Sequence, residues 1–162
     1  MGKIFKAMGL LQKGGLIETD RSGMVAGYVG QTAEKVDKIV TEAMDGILFV
    51  DEAYTLKPEG GGSDYGQEAI DTLLKRMEDN RERLIVIVAG YKDEMDRFLE
   101  SNPGMKSRFN RYFYFDDYKP EELLQIYCKM SKDGHFEVEE AGKEKLLKLF
   151  NELYNNRNIK II

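Results

Sequence analysis

The chain has 162 residues, about one domain at a typical size of roughly 150. Hydrophobic residues at 42% and charged residues at 33% exclude a disordered or fibrous chain and describe one that buries a sizeable core. Lys and Arg total 24 against 29 Asp and Glu, and the resulting net charge of −5 excludes a broad basic surface, so neither nucleic acid nor a membrane is expected as a partner.

One cysteine, Cys128, and one histidine, His135, leave no internal disulfide, no His/Cys metal cage and no Cys/His nucleophile pair. A reducing, cytoplasmic setting fits. Apolar runs reach only about five residues, against about 20 for a membrane span and about 7–15 for the apolar part of a signal peptide.

Ile4, Phe5, Met8, Leu10 and Leu11 predict a helix over 2–12, stopped by Gly14 and Gly15. Leu16 to Asp20 reads as a short strand, followed by a glycine-bearing loop through Gly30. Thr32 is a candidate N-cap for a helix whose apolar face is Val36, Ile39, Val40, Ala43 and Met44. Ile47-Leu48-Phe49-Val50 and Leu84-Ile85-Val86-Ile87-Val88 are unbroken apolar runs, as expected of strands buried on both faces of a parallel sheet. Between them a glycine-rich loop at 60–62 precedes a helix with Ala69, Ile70, Leu73, Leu74 and Met77 on one face. Tyr112 to Phe115 reads as a third such strand. Pro120 stands at a helix N1 position with Glu121 and Glu122 in the first turn, and helices are predicted over about 120–131 and 139–155. The alternation predicts a three-layer α/β domain with a helical appendage from about residue 120.

The sharpest chemical feature is the pair Asp51-Glu52, delivered at the carboxyl end of an apolar strand, where open α/β sheets bind ligands. In a nucleotide site the first carboxylate suits Mg²⁺ or its waters, and the second can polarise an attacking water. The same pattern also marks a strand that simply meets solvent. Arg108 and Arg111, behind a turn predicted at Pro103-Gly104, carry permanent forked cations suited to phosphate oxygens, or are solvated loop arginines.

Gly27-Tyr28-Val29-Gly30-Gln31-Thr32, Ile47 to Glu52, Val88-Ala89-Gly90-Tyr91, Asn102-Pro103-Gly104 and Ser107-Arg108-Phe109 occur in the order of an AAA+ ATPase domain. Over about residues 3–155 the chain resembles the group containing red-type rubisco activase, stage V sporulation protein K and the AAA+ chaperones of type VII secretion. The resemblance implies a P-loop NTPase-like parallel sheet, with a partial large α/β subdomain over 1–118 and the start of a helical lid over 119–162. It implies ATP and Mg²⁺ as cofactors, with Asp51 toward the metal through water and Glu52 positioning the hydrolytic water. Arg108 matches the arginine finger that reaches a neighbouring subunit's nucleotide, and Arg111 is a second candidate. Tyr28-Val29-Gly30 matches the pore loop that grips a protein substrate within a homo-oligomeric ring, a hexamer in the family, and loop 57–65 stands where a second pore loop would lie. Tyr91 occupies the sensor 1 region near the nucleotide, where the family usually has Asn, Thr or Ser.

No segment of these 162 residues supplies the phosphate-cradling pattern G-x-x-x-x-G-K-[ST]. In Gly27 to Thr32, Gln31 stands where the lysine belongs. The resemblance places residues 2–12 in the helix after that loop, implying that the first family strand and the P-loop are absent and that the chain alone is deficient in ATP binding. Two other readings compete with a motor subunit: a degenerate subunit that docks into a ring of complete partners, and a metal-dependent hydrolase using Asp51 and Glu52 without nucleotide.

Overall fold

The computed structural model describes residues 2–9, 11–28, 30–57 and 65–156. Two compact units divide the chain, Met1–Tyr112 and Phe113–Ile162.

In the first unit, strands β1 (Leu16–Thr19), β2 (Gly46–Val50) and β3 (Leu84–Val88) form a parallel sheet in the order β1-β2-β3. Leu16 pairs with Ile47 and Thr19 with Val50, while Gly46 pairs with Leu84 and Val50 with Val88. All three strands therefore point their carboxyl ends the same way. Each crossover carries a helix: α3 (Gln31–Glu42) between β1 and β2, and α4 (Gly66–Asp79) between β2 and β3. Val36 and Val40 of α3 pack with Ile70 and Leu73 of α4 on the sheet face formed by Leu48, Val50, Val86 and Val88. Each fully buried aliphatic side chain among them, such as Val36, Val40 or Leu48, contributes on the order of 1.5–3 kcal/mol. Met24, from the short α2 (Arg21–Met24), closes one side of this core. Phe98 of α5 (Lys92–Glu100) and Met105 of α6 (Pro103–Arg108) also join it.

Several sequence expectations are corrected. Helix α1 spans Gly2–Ala7 rather than 2–12, and Gly9, at φ 74°, marks the turn after it. Gly30, not Thr32, holds the N-cap position of α3. Thr32 is buried as the second residue of the helix, where its hydroxyl accepts the Ala26 N–H at 3.1 Å. β2 is buried on both faces as expected, but β3 is only half-buried beyond Leu84, because it is an edge of the three-stranded sheet. Tyr112 to Phe115 forms no strand. Phe113 is 74% and Phe115 91% exposed, and a β-forming sequence without a ladder partner stays coil. Asn102-Pro103-Gly104 is not a turn but the start of α6: the Asn102 side chain accepts the Gly104 N–H at 2.8 Å and Pro103 fills the first helical turn. The loop at 60–62 lies outside the described residues.

The second unit is built on α7 (Pro120–Asp133) and α8 (Glu140–Asn155). The Glu122 carboxylate accepts the Lys119 N–H at 2.8 Å, which secures the start of α7. Leu123, Leu124 and Ile126 on α7 and Leu146, Leu147 and Phe150 on α8 are half-buried. Among the described residues no helix is long and apolar enough to cross a membrane.

Candidate functional site at the carboxyl ends of the strands

The parallel sheet delivers Asp20, Asp51 and Ala89 to one end, each just after its strand. Backbone hydrogen bonds hold the three exits together: Asp51 N–H to Thr19 O at 2.8 Å, Ala89 N–H to Val50 O at 2.9 Å and Ala53 N–H to Ala89 O at 3.0 Å. Asp51 is exposed, and its Oδ1 accepts the Glu52 N–H at 3.0 Å. Its other carboxylate oxygen has no hydrogen-bond donor among the described residues and stays open to a hydrated cation.

Glu52 adopts a left-handed backbone, φ 48° and ψ 41°, before a 3₁₀ turn over Ala53–Leu56. A non-glycine residue there is strained, and such strain concentrates at functional sites. The half-buried Glu52 carboxylate accepts a hydrogen bond from the Tyr54 hydroxyl, and its carbonyl accepts the Thr55 hydroxyl at 2.7 Å. The Tyr54 ring in turn meets Tyr91, with centroids 6.5 Å apart and planes tilted by 46°. Tyr91 is thereby joined to Glu52 through Tyr54, while remaining 69% exposed.

A cavity of about 660 Å³ opens beside this turn, lined among others by Asp20, Arg21, Gly27, Asp51, Glu52 and Thr55. Asp20 caps α2, accepting from the Ser22 hydroxyl at 2.6 Å and the Gly23 N–H at 3.0 Å. These bonds, the Ser22 one foremost, hold its carboxyl below the usual carboxylate value. Among the described residues no three His, Cys, Asp or Glu side chains converge into a metal cage. The donor set therefore fits a cation met through water by Asp51 rather than one enclosed by the protein.

The remaining sequence candidates stand apart from the acid pair. Tyr28 is 73% exposed at the rim of the loop before α3, Gly30 ends that loop at φ 80°, and Val29 lies outside the described residues. Arg108 is the last residue of α6 and is folded onto its own unit. Its guanidinium donates to Gly104 O at 3.2 Å and pairs with Glu78 of α4 at 3.5 Å, while its Nε is buried with no partner. Arg111 is exposed on the following coil, with no ion pair among the described residues. Sequence reasoning missed Arg21, Tyr54 and Thr55. Tyr54 and Thr55 lie within four residues of Asp51, but only the strained turn brings their hydroxyls back to Glu52.

A parallel sheet with helical crossovers is consistent with a P-loop NTPase-like α/β fold, a class in which ligands bind at the carboxyl ends of the strands, where Asp51 and Glu52 stand. Residues 2–117 match the ATPase family associated with various cellular activities (AAA), and the chain belongs to that family. It is 44% identical over 147 residues to the protein CfxQ homolog of Galdieria sulphuraria, covering 91% of this chain and 48% of that relative. It is also 44% identical over 146 residues to stage V sporulation protein K of Bacillus subtilis (strain 168), covering 90% and 45%. Identity to the ESX-3 secretion system protein EccA3 of Mycobacterium leprae is 41% over 150 residues, covering 93% and 23%. The chain thus spans just under half the length of the first two relatives and about a quarter of the third. Members of the AAA family are ATPases that use ATP with Mg²⁺ and typically assemble into rings acting on proteins.

Proposed function

We propose that this chain is the part of a cytoplasmic AAA+ ATPase subunit that carries Walker B, arginine finger and pore loop. In a homo-oligomeric ring, taken as a hexamer, it couples MgATP hydrolysis to remodelling or threading of a protein substrate. The observation that carries the reading is the exposed Asp51 beside the strained, cavity-lining Glu52 at the carboxyl end of a parallel sheet.

When bound, the magnesium ion supplies charge neutralisation to the phosphates. Asp51 would hold that ion through its waters, using the carboxylate oxygen left without a donor. Glu52 orients and accepts a proton from the attacking water, and Tyr54 fixes which carboxylate oxygen is free to do so. Arg108, with Arg111 as second candidate, stabilises charge on a neighbouring subunit's phosphoryl group, an effect of roughly 10³–10⁵ in rate in other NTPases. That role requires Arg108 to exchange its bond to Glu78 for the neighbour's nucleotide. Tyr28, Val29 and Gly30 contact the substrate polypeptide, Tyr91 borders the nucleotide, residues 1–118 act as the partial large subdomain and 119–162 begin the lid.

Because the 162 residues contain no G-x-x-x-x-G-K-[ST] segment, the chain alone is expected to release phosphate from MgATP only at background rate. Mg²⁺-dependent turnover abolished by Glu52→Gln would overturn that deficiency. Grafting a strand and loop of that pattern ahead of Gly2 is expected to give turnover that Glu52→Gln lowers by at least about 100-fold. A graft that binds ATP yet never hydrolyses it would sink the roles given to Asp51 and Glu52.

A further inference from the structure

We propose that Arg21 is a positioning residue that ties the acid turn after β2 to the loop presenting Tyr28. Its functional meaning rests on the reading of Glu52 and Tyr28 above, whereas the linkage itself is a property of the fold.

Arg21 NH1 donates to the Thr55 carbonyl at 2.7 Å and to the Leu56 carbonyl at 3.1 Å. Thr55 in turn donates its N–H at 2.9 Å and its hydroxyl at 2.7 Å to the Glu52 carbonyl. The guanidinium is thus two hydrogen bonds from the strained residue. On the other side, the Arg21 carbonyl accepts the Val25 N–H at 2.8 Å, Lys35 Nζ donates to the Val25 carbonyl at 3.0 Å, and Ala26 N–H donates to Thr32 Oγ1 at 3.1 Å. Those bonds fix the stem immediately before Gly27 and Tyr28. Both segments line the 660 Å³ cavity, the first with Gly27 and the second with Asp51 and Glu52.

The pocket for the guanidinium is built closely. A Cβ added at Gly66, the first residue of α4, would lie 1.8 Å from the Leu56 carbonyl oxygen and 3.0 Å from Arg21 NH1. The helix backbone therefore presses the 3₁₀ turn onto Arg21, and only glycine allows that approach. Arginine suits the position because the two N–H groups of NH1 are held in the guanidinium plane and meet two adjacent carbonyls, whereas a lysine ammonium on a flexible stem has no such fixed plane. A displacement of the Glu52 turn moves the Thr55 and Leu56 carbonyls. Arg21 then either follows them, carrying the stem of Tyr28, or loses both bonds. The bonds of Arg21 thereby couple the acid turn to the stem of Tyr28.

Amide hydrogen exchange of the 162-residue chain, resolved by NMR, tests the linkage without requiring catalysis. Arg21→Lys keeps the charge and removes the planar guanidinium whose NH1 meets both carbonyls. The amides of Thr55 and Lys57 on one side, and of Val25 and Ala26 on the other, are expected to exchange together roughly tenfold faster or more. Tyr54→Phe loosens the acid turn by removing the hydroxyl bound to Glu52. It is expected to speed exchange at Ala26 when Arg21 is present and to add nothing in the Arg21→Lys background. Asp45→Asn, at the opposite end of β2, controls for a general loss of stability and is expected to leave the relative exchange of these segments unchanged. Acceleration confined to one segment, acceleration spread evenly over the chain, or a Tyr54→Phe effect that persists without Arg21 would each overturn the proposal. If Glu52→Gln leaves grafted turnover intact while these exchange effects appear, the catalytic reading fails and the linkage stands.

Discussion

Strand β2 has an acidic residue in left-handed backbone at each end, Asp45 at φ 64° and Glu52 at φ 48°, and the surroundings treat the two oppositely. Before the strand, every polar group of Asp45 is used. Both carboxylate oxygens accept from the Arg83 fork at 2.8 Å, the Asp45 carbonyl accepts the Lys13 and Gly14 N–H groups at 3.0 Å, and its N–H donates to the Arg83 carbonyl at 2.8 Å. The Asp45 side chain is 8% exposed, so this staple of β2 to β3 and to the Gly14 loop is closed to ligands. After the strand, Asp51 keeps a carboxylate oxygen without a donor and Glu52 lines an open cavity, and among the described residues the Tyr54 hydroxyl is the only side-chain donor to either carboxylate. The same backbone thus carries one acid whose bonds are completed and one whose carboxylate borders a cavity, which is the contrast the proposed chemistry of Glu52 rests on.

The deepest cut lies between the two ends. Leu48 is fully buried at the middle of β2, and Leu48→Ala is expected to lower unfolding stability by about 2–5 kcal/mol, measured by urea titration. A smaller loss indicates that the half-covered β3 edge collapses into the void.

Asp45→Asn comes next, replacing a charged acceptor of the Arg83 fork by a neutral one. It is expected to lower the melting temperature by several degrees at neutral pH. The Arg83 hydrogen bonds hold the Asp45 carboxyl below its usual value, so its contribution is complete above about pH 4 and is lost as pH falls through the lower folded-state value. The stability difference between wild type and Asp45→Asn should therefore shrink on acidification. A difference that is constant with pH would mean that the charge of Asp45 is not what stabilises the junction. Asp37, held low in the same sense by Arg76, leaves residual acid sensitivity in the variant, but both of those side chains are about 40% exposed and solvent screening makes their share small.

Much of the first unit was legible in sequence because burial writes itself as unbroken apolar runs. Ile47 to Val50 and Leu84 to Val88 announced two parallel strands, and the helix faces around Val36 and Leu73 announced their crossovers. Asp51-Glu52 was legible for the same reason, as the point where burial ends. Less legible were features set by pairing and by single hydrogen bonds. Tyr112 to Phe115 has strand composition, yet a strand is defined by a neighbour that composition does not supply. Asn102-Pro103-Gly104 has turn composition, and only the Asn102 side-chain bond to Gly104 makes it a helix start. Arg21 carries no local signal, since its partners Thr55 and Leu56 lie 34 and 35 residues away.

The smallest expected effect separates the two acids most directly. Left-handed backbone costs a non-glycine residue roughly 1–2 kcal/mol, and glycine removes that cost while gaining entropy in the unfolded chain. For Glu52→Gly the lost side chain gives up one Tyr54 hydrogen bond on an open cavity wall, so the balance is expected to be neutral or stabilising by up to about 1 kcal/mol. For Asp45→Gly the same backbone relief is outweighed by leaving the Arg83 fork without its carboxylate, and the balance is expected to be destabilising. Urea midpoints of the two variants should consequently move in opposite directions, or only Asp45→Gly should move. If Glu52→Gly destabilises as much as Asp45→Gly, the turn after β2 is a structural junction of the same kind as the one before it, and the strain at Glu52 no longer marks a residue kept for its chemistry.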